Sequence, residues 1–135
     1  MHVIKGISHI TLIVKDLERT AVFLQTVFDA KAIYSSGDKQ FSLSKEMFFL
    51  VNEIWLCIME GEPHAERTYN HIAFQISDMD FELYRSKITA SGAELRPERA
   101  RVEGEGQSLY FYDFDNHLFE LHTGNLEERL KRYAK

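Results

Sequence analysis

Ile7-Ser8-His9-Ile10-Thr11-Leu12-Ile13-Val14 and, further along, Asn70-His71-Ile72-Ala73-Phe74-Gln75-Ile76 are the two stretches on which the fold turns. Each is rich in β-branched and aromatic residues and reads as a strand. Each is followed by an aspartate, Asp16 or Asp78, whose carboxylate can cap a helix by accepting a bond from its orphan N–H groups. The spacing from His9 to His71 equals that from Asp16 to Asp78, so the two stretches are in one register. The first helix would carry Phe23, Leu24, Val27 and Phe28 on one stripe, and the second Phe81, Tyr84 and Ile88. More strand follows in each case. Ala32-Ile33-Tyr34 stands in one half, and Ala93-Glu94-Leu95 follows Gly92, a helix-ending glycine, in the other. Then come Met47–Val51 and Ile54–Met59 in the first half, and Leu109–Tyr112 and Leu118–His122 in the second. Asp115-Asn116 between the last two is a hairpin turn, because Asn tolerates positive φ. The chain is therefore an α+β protein with a βαβββ module over 1–62 and another over 63–135. Gly61–Thr68 is the polar junction. A C-terminal helix begins after Gly124, with Asn125 and Glu128 as a capping box.

Composition narrows the function. The 135 residues carry a net charge of −5, and 44% are hydrophobic. That is enough apolar material for a core, so disorder is not expected. The acidic balance argues against a nucleic-acid binder. No apolar run is long enough to span a membrane. A single cysteine, Cys57, makes no internal disulfide. With no signal-peptide pattern, a cytoplasmic protein is expected. Neither half, near 60 residues, is large enough to be stable alone. The halves must share a core or pair with another copy of the chain.

Side chains alternate across a strand. His9 and Thr11 share one face of the first strand, opposite Leu12 and Val14. His71, Ala73 and Gln75 lie opposite Ile72, Phe74 and Ile76. Glu120 and His122 lie opposite Phe119 and Leu121. Three strands thus turn a ligand-type residue away from the helix-packed core, as a sheet curled around a cavity would. Two imidazoles and a carboxylate on such a wall form a facial triad that holds a divalent metal and keeps positions open for substrate. On spacing alone, half-buried strand histidines bonded to their neighbours explain the pattern equally well.

Ser8-His9-Ile10-Thr11-Leu12, Tyr69-Asn70-His71-Ile72-Ala73-Phe74 and the run Tyr110–Glu120 together resemble the vicinal oxygen chelate superfamily, and within it the fosfomycin-resistance enzymes. Phe41–Phe49 is similar to the branch that adds water, rather than a thiol, to the drug. The resemblance implies cup-shaped open barrels, domain-swapped in a homodimer with shared active sites. It implies Mn(II) held by His9, His71 and Glu120, and a small phosphonate epoxide as substrate. It implies Glu46 as the base that activates water, with Thr11 placed to hydrogen-bond the developing alkoxide. Tyr69, Arg101, Tyr110 and Arg129 are its candidates for the phosphonate, through forked and neutral donors. Two features depart from the superfamily: the turn reads Asp113-Phe114-Asp115-Asn116-His117, and a potassium-binding loop is matched only at Glu105.

Each residue also has a plainer reading. Glu46 could be an exposed charge beside Lys45, and Arg129 could face solvent or pair with Asn125. Glu60 and His122 rival Glu120 as ligand. His2, His64 and His117 read as surface or turn residues, and Cys57 as an inert core thiol. The alternatives to hydration are thiol transfer to the same epoxide, a drug-binding protein without turnover, and an iron dioxygenase built on the same triad.

Overall fold

A computed structural model describes residues 2–98 and 106–134. Arg101 and Glu105 lie outside the described residues. The chain divides after Pro63 into two compact units. In the first, β1 (Ile10–Val14) is followed by α1 (Leu17–Phe28), β2 (Lys31–Ser35), β3 (Glu46–Val51) and β4 (Ile54–Glu60). In the second, β5 (His71–Gln75) leads through a short 3-10 turn (Asp78–Asp80) to α2 (Phe81–Ser91), β6 (Glu94–Leu95), β7 (Ser108–Tyr112), β8 (Leu118–His122) and α3 (Leu126–Tyr133). The sheets have matching orders, β1-β4-β3-β2 and β5-β8-β7-β6. In each, the first strand pairs parallel with the last and the other pairs are antiparallel. The βαβββ repeat is thus present in both units.

The local chemistry explains the elements. Asp16 caps α1 by accepting from the Arg19 N–H, and Thr20, Phe23, Leu24, Val27 and Phe28 are buried along one stripe. Leu12, Val14, Phe49, Leu56 and Ile58 are buried on the sheet of the same unit. In the second unit Phe81 and Ile88 bury one side of α2, and Phe74, Leu109, Phe111, Phe119 and Leu121 are buried in that sheet. Phe119 stacks between Phe74 and Phe111 at 6.4 and 5.8 Å. Gly92 ends α2 at φ 82°, a left-handed position that favours glycine. Asn125 caps α3 by accepting from the Glu128 N–H, while its own amide reaches the Glu128 carboxylate.

Two expectations need correction. β1 begins at Ile10, not Ile7, because its partner β4 starts pairing at Leu56; His9 stands just before the strand. Asp78 does not cap α2. It opens the 3-10 turn, and Asp80 takes the N-cap position without a side-chain bond, so α2 begins at Phe81. Among the described residues no helix is long and apolar enough to cross a membrane.

Candidate active site

The polar residues lie on the sheet face turned away from α1 in the first unit and from α2 in the second. In the first unit, the parallel register sets Thr11 opposite Cys57, and the antiparallel register sets Phe48 opposite Cys57 and Glu46 opposite Met59. Directly opposed residues share a face, so Thr11, Cys57, Phe48 and Glu46 line one surface. His9 sits at its end, its ring 4.2 Å from that of Trp55, with Nδ1 2.9 Å from the Ser8 hydroxyl. Glu46 is 8% exposed. Its backbone is clamped to Ser36, whose N–H donates to the Glu46 carbonyl and whose hydroxyl accepts from the Glu46 N–H. The Cys57 thiol donates to Glu46 Oε1 across 3.5 Å. Glu46 is therefore no solvated partner of Lys45, whose ammonium instead lies 3.6 Å from Asp38. Burial, reinforced by the Glu46 carboxylate, pushes the Cys57 thiol up to about 11, which fits an unreactive sulfur. Glu60 is exposed at the end of β4.

In the second unit, the register sets Ala73 opposite Glu120, with Tyr110 on its other side. Glu120 is 5% exposed. The His71 Nδ1–H donates to the Tyr69 carbonyl at 2.7 Å, and Nε2 lies 3.0 Å from Glu120 Oε1. With Nδ1 committed, a neutral ring offers its Nε2 lone pair beside the carboxylate oxygen. That pair suits either a shared proton or a cation. Two adjacent donors on an octahedral ion with bonds of ~2.1 Å stand about this far apart, and a carbonyl bond on the outer nitrogen is how ligating histidines are oriented. Burial pushes the Glu120 carboxyl up, but hydrogen bonds from Ser108 and Tyr110 counter it, and the carboxyl lies below its ordinary value. The anionic form that a cation needs is thereby favoured. Among the described residues no group of three or more His, Cys, Asp or Glu side chains is gathered around one point; as a metal site, the His71–Glu120 edge would need a further donor.

The surroundings of this edge are polar and cationic. The Tyr69 hydroxyl donates to that of Tyr110 at 3.0 Å. Burial, the Tyr69 bond and the Glu120 carboxylate push Tyr110 up to about 12, so it remains a neutral donor. A cavity of about 320 Å³ is lined by His71, Ala73, Glu120, His122, Asn125 and Arg129, among others. Arg129 is half-buried rather than solvent-facing, and its guanidinium reaches His122 Nε2 at 3.0 Å. The approach to β5 is anchored by Arg67, which lies 4.0 Å over the Tyr112 ring and bonds Glu94 and Asn116. The β7–β8 turn is held by Asp113, whose Oδ1 accepts from the N–H groups of Asp115 and His117, with Asn116 at φ 67°. His117 is a turn residue as expected but is not on the surface: it is half-buried, its Nδ1 2.7 Å from Asp113 Oδ2.

The structure thus gathers His71, Glu120, Tyr69, Tyr110 and Arg129 in the second unit, and His9, Thr11 and Glu46 on one face of the first. Sequence reading missed Ser108, which is buried and donates to Glu120 Oε2. It weighed His122 only as a rival ligand. Ser108, Tyr110 and Tyr112 alternate on one face, and that period of two was the available signal.

Residues 6–121 match the profile of the Glyoxalase/Bleomycin resistance protein/Dioxygenase superfamily. The chain belongs to that superfamily. Over 132 residues it is 65% identical to the fosfomycin resistance protein FosX of Listeria innocua, covering 98% of this chain and 99% of that one. It is 35% identical to the metallothiol transferase FosB of Shouchella clausii, over 98% of this chain and 89% of that one. The crystal structure of a mutant FosX from Listeria monocytogenes, complexed with Mn(II) and 1S,2S-dihydroxypropylphosphonic acid, superposes with a TM-score of 0.89 at 61% identity, covering 97% of this chain and 99% of that one. The βαβββ pairing is thus the fold of the FosX structures.

Proposed function

We propose that this chain is a fosfomycin resistance enzyme: a Mn(II)-dependent hydrolase that adds water to the epoxide and releases the diol. The observation that carries the reading is Glu46, a carboxylate buried on the same face as Thr11 and His9. A carboxylate on that face suits a base for water, which must lose a proton as it attacks; a thiol, already partly ionised near neutral pH, depends on one less. The dihydroxypropylphosphonate held by the Listeria monocytogenes FosX is the compound that hydration of fosfomycin yields.

His71 and Glu120 would hold the metal, with His9 as third ligand. We assign His9 to the partner subunit of a homodimer, so that each site combines one chain's first module with the other chain's second. A divalent ion, when bound there, supplies Lewis-acid polarisation of the ring oxygen. Arg129, Tyr110 and Tyr69 bind the phosphonate, the guanidinium as a charged fork and the phenols as neutral donors; Arg101 remains a candidate for the same role. Glu46 takes a proton from the attacking water as its oxygen bonds to an epoxide carbon and the ring C–O bond breaks. The Thr11 hydroxyl donates to the oxygen so released, which takes a proton from solvent while Glu46 returns its own.

A second reading, thiol addition, rests on the 35% identity to FosB. Phosphorus NMR of fosfomycin incubated with protein and Mn(II), with and without thiol, separates the two. Diol formed without thiol supports hydration; turnover only with thiol refutes it.

A further inference from the structure

On the cavity wall of the second unit, a chain of donors runs from α3 through β8 and β7 to the Glu120 carboxylate. Arginine has only N–H donors, so His122 Nε2, 3.0 Å from Arg129 Nη2, must accept. Its ring proton is then on Nδ1. Nδ1 lies 2.7 Å from the Ser108 hydroxyl and 3.3 Å from Glu120 Oε2. Ser108 has one hydroxyl hydrogen, and its oxygen is 2.5 Å from Glu120 Oε2. A carboxylate only accepts, so that hydrogen points to Glu120 and the Ser108 lone pair receives the His122 Nδ1–H. Each link fixes the next, and every bond points the same way: Arg129 to His122, His122 to Ser108, Ser108 to Glu120. The side chains of His122 and Glu120 are 12% and 6% exposed, and Ser108 is 6% exposed. With side chains this buried, aligned bonds reinforce one another, and losing one loosens the groups it held.

We propose that His122 is a positioning residue that holds Arg129 over the cavity and, through Ser108, fixes the carboxylate of Glu120. The ring is no metal ligand, because Arg129 occupies the Nε2 lone pair and Nδ1 carries the proton. It does not pair with Glu120 as an imidazolium either, since a second N–H would then face the guanidinium N–H at 3.0 Å. The anion-binding group and the proposed metal ligand are thereby built on one rigid strut, so that substrate phosphonate and epoxide oxygen meet groups at a fixed separation. The role rests on Glu120 and Arg129 acting as proposed above, but the hydrogen-bond chain itself does not.

Two measurements test it. Imidazole 15N–1H correlation spectra of the metal-free full-length protein, with His122 assigned by His122→Gln, should give a ring protonated on Nδ1 alone. A proton on Nε2, or on both nitrogens, overturns the chain whatever the enzyme's reaction. In steady-state assays of the Mn(II)-loaded enzyme, His122→Ala should raise the KM for fosfomycin about tenfold, the effect of losing one charge-assisted bond. His122→Gln, whose carbonyl accepts from Arg129 and whose amide donates to Ser108, should stay within about threefold of the parent KM. Equal defects in the two variants overturn the positioning role. If His122→Ala does not fold, the Gln variant decides alone, a tenfold defect there refuting the role. A parent protein without fosfomycin turnover refutes the enzymatic reading and leaves the spectra to judge the chain.

Discussion

Replacing Glu46 with Gln removes a charge and a proton acceptor while keeping the shape. The side chain is buried, held at its backbone by Ser36 and reached by the Cys57 thiol. A glutamine carbonyl accepts that thiol equally well, and the amide adds two hydrogens where the carboxylate had none. The sheet should therefore persist, with the melting temperature moving by no more than a few degrees, as expected for a change of about 1 kcal/mol. Chemistry should not persist. General-base catalysis contributes roughly 10²–10⁴-fold, so kcat for diol formation should fall by at least about a hundredfold. KM should change little, because the proposed phosphonate contacts, Tyr69, Tyr110 and Arg129, lie in the other module. Mn(II) binding, followed by the EPR signal of the unbound ion, should be unaltered, because the proposed ligands are His9, His71 and Glu120. The assay is phosphorus NMR of fosfomycin consumption at saturating metal. A variant with kcat within about threefold of the parent refutes Glu46 as base, and a variant that loses Mn(II) shows that the residue serves the metal instead.

Three further outcomes follow from the same geometry. His9→Ala and Glu120→Ala chains, each inactive alone, should regain about one quarter of parental activity when refolded together, since half of randomly paired dimers carry one intact site of two; no recovery refutes a site shared between subunits. Burial favours the neutral Cys57 thiol, so the folded protein keeps a proton between 9.0 and about 11 that the unfolded chain has released. Stability present below pH 9 should therefore be lost progressively towards pH 11 in urea melts, and Cys57→Ala should abolish that share of the decline. Phe119→Ala empties a position that is 0% exposed between two stacked rings and should cost about 3–5 kcal/mol in the same melts; a loss below 1 kcal/mol refutes the packing described for the second sheet.

The duplicated pattern was legible because alternation and helical period are local signals. Leu12 and Val14 alternate with Thr11, and Phe23, Leu24 and Val27 recur at the helical spacing, whatever lies elsewhere in the chain. The caps at Asp16 and Asn125 were legible for the same reason. Asp78 was not, because whether an aspartate caps a helix or opens a 3-10 turn depends on where Phe81 must land to bury its ring. The start of β1 depended on where β4 begins to pair, a nonlocal fact. Glu46 reads as an exposed charge beside Lys45 until the strand register turns it onto the face of Thr11 and Cys57. Arg129 reads as a solvent-facing helix residue until His122 gives it a partner. Ser108 was passed over because it lies one residue before the Leu109–Tyr112 run that reads as strand, and only the pairing of β7 with β8 sets it between a carboxylate and an imidazole.

The central claim is that this protein, with its divalent metal, delivers a water oxygen, and not a sulfur, to the epoxide carbon of fosfomycin. Incubation of fosfomycin with the Mn(II)-loaded protein in 18O-enriched water, with excess glutathione present and with mass spectrometry of the product, addresses it directly. The account predicts a diol carrying one 18O atom, absent when the metal is chelated. An unlabelled glutathione adduct as the main product would contradict it.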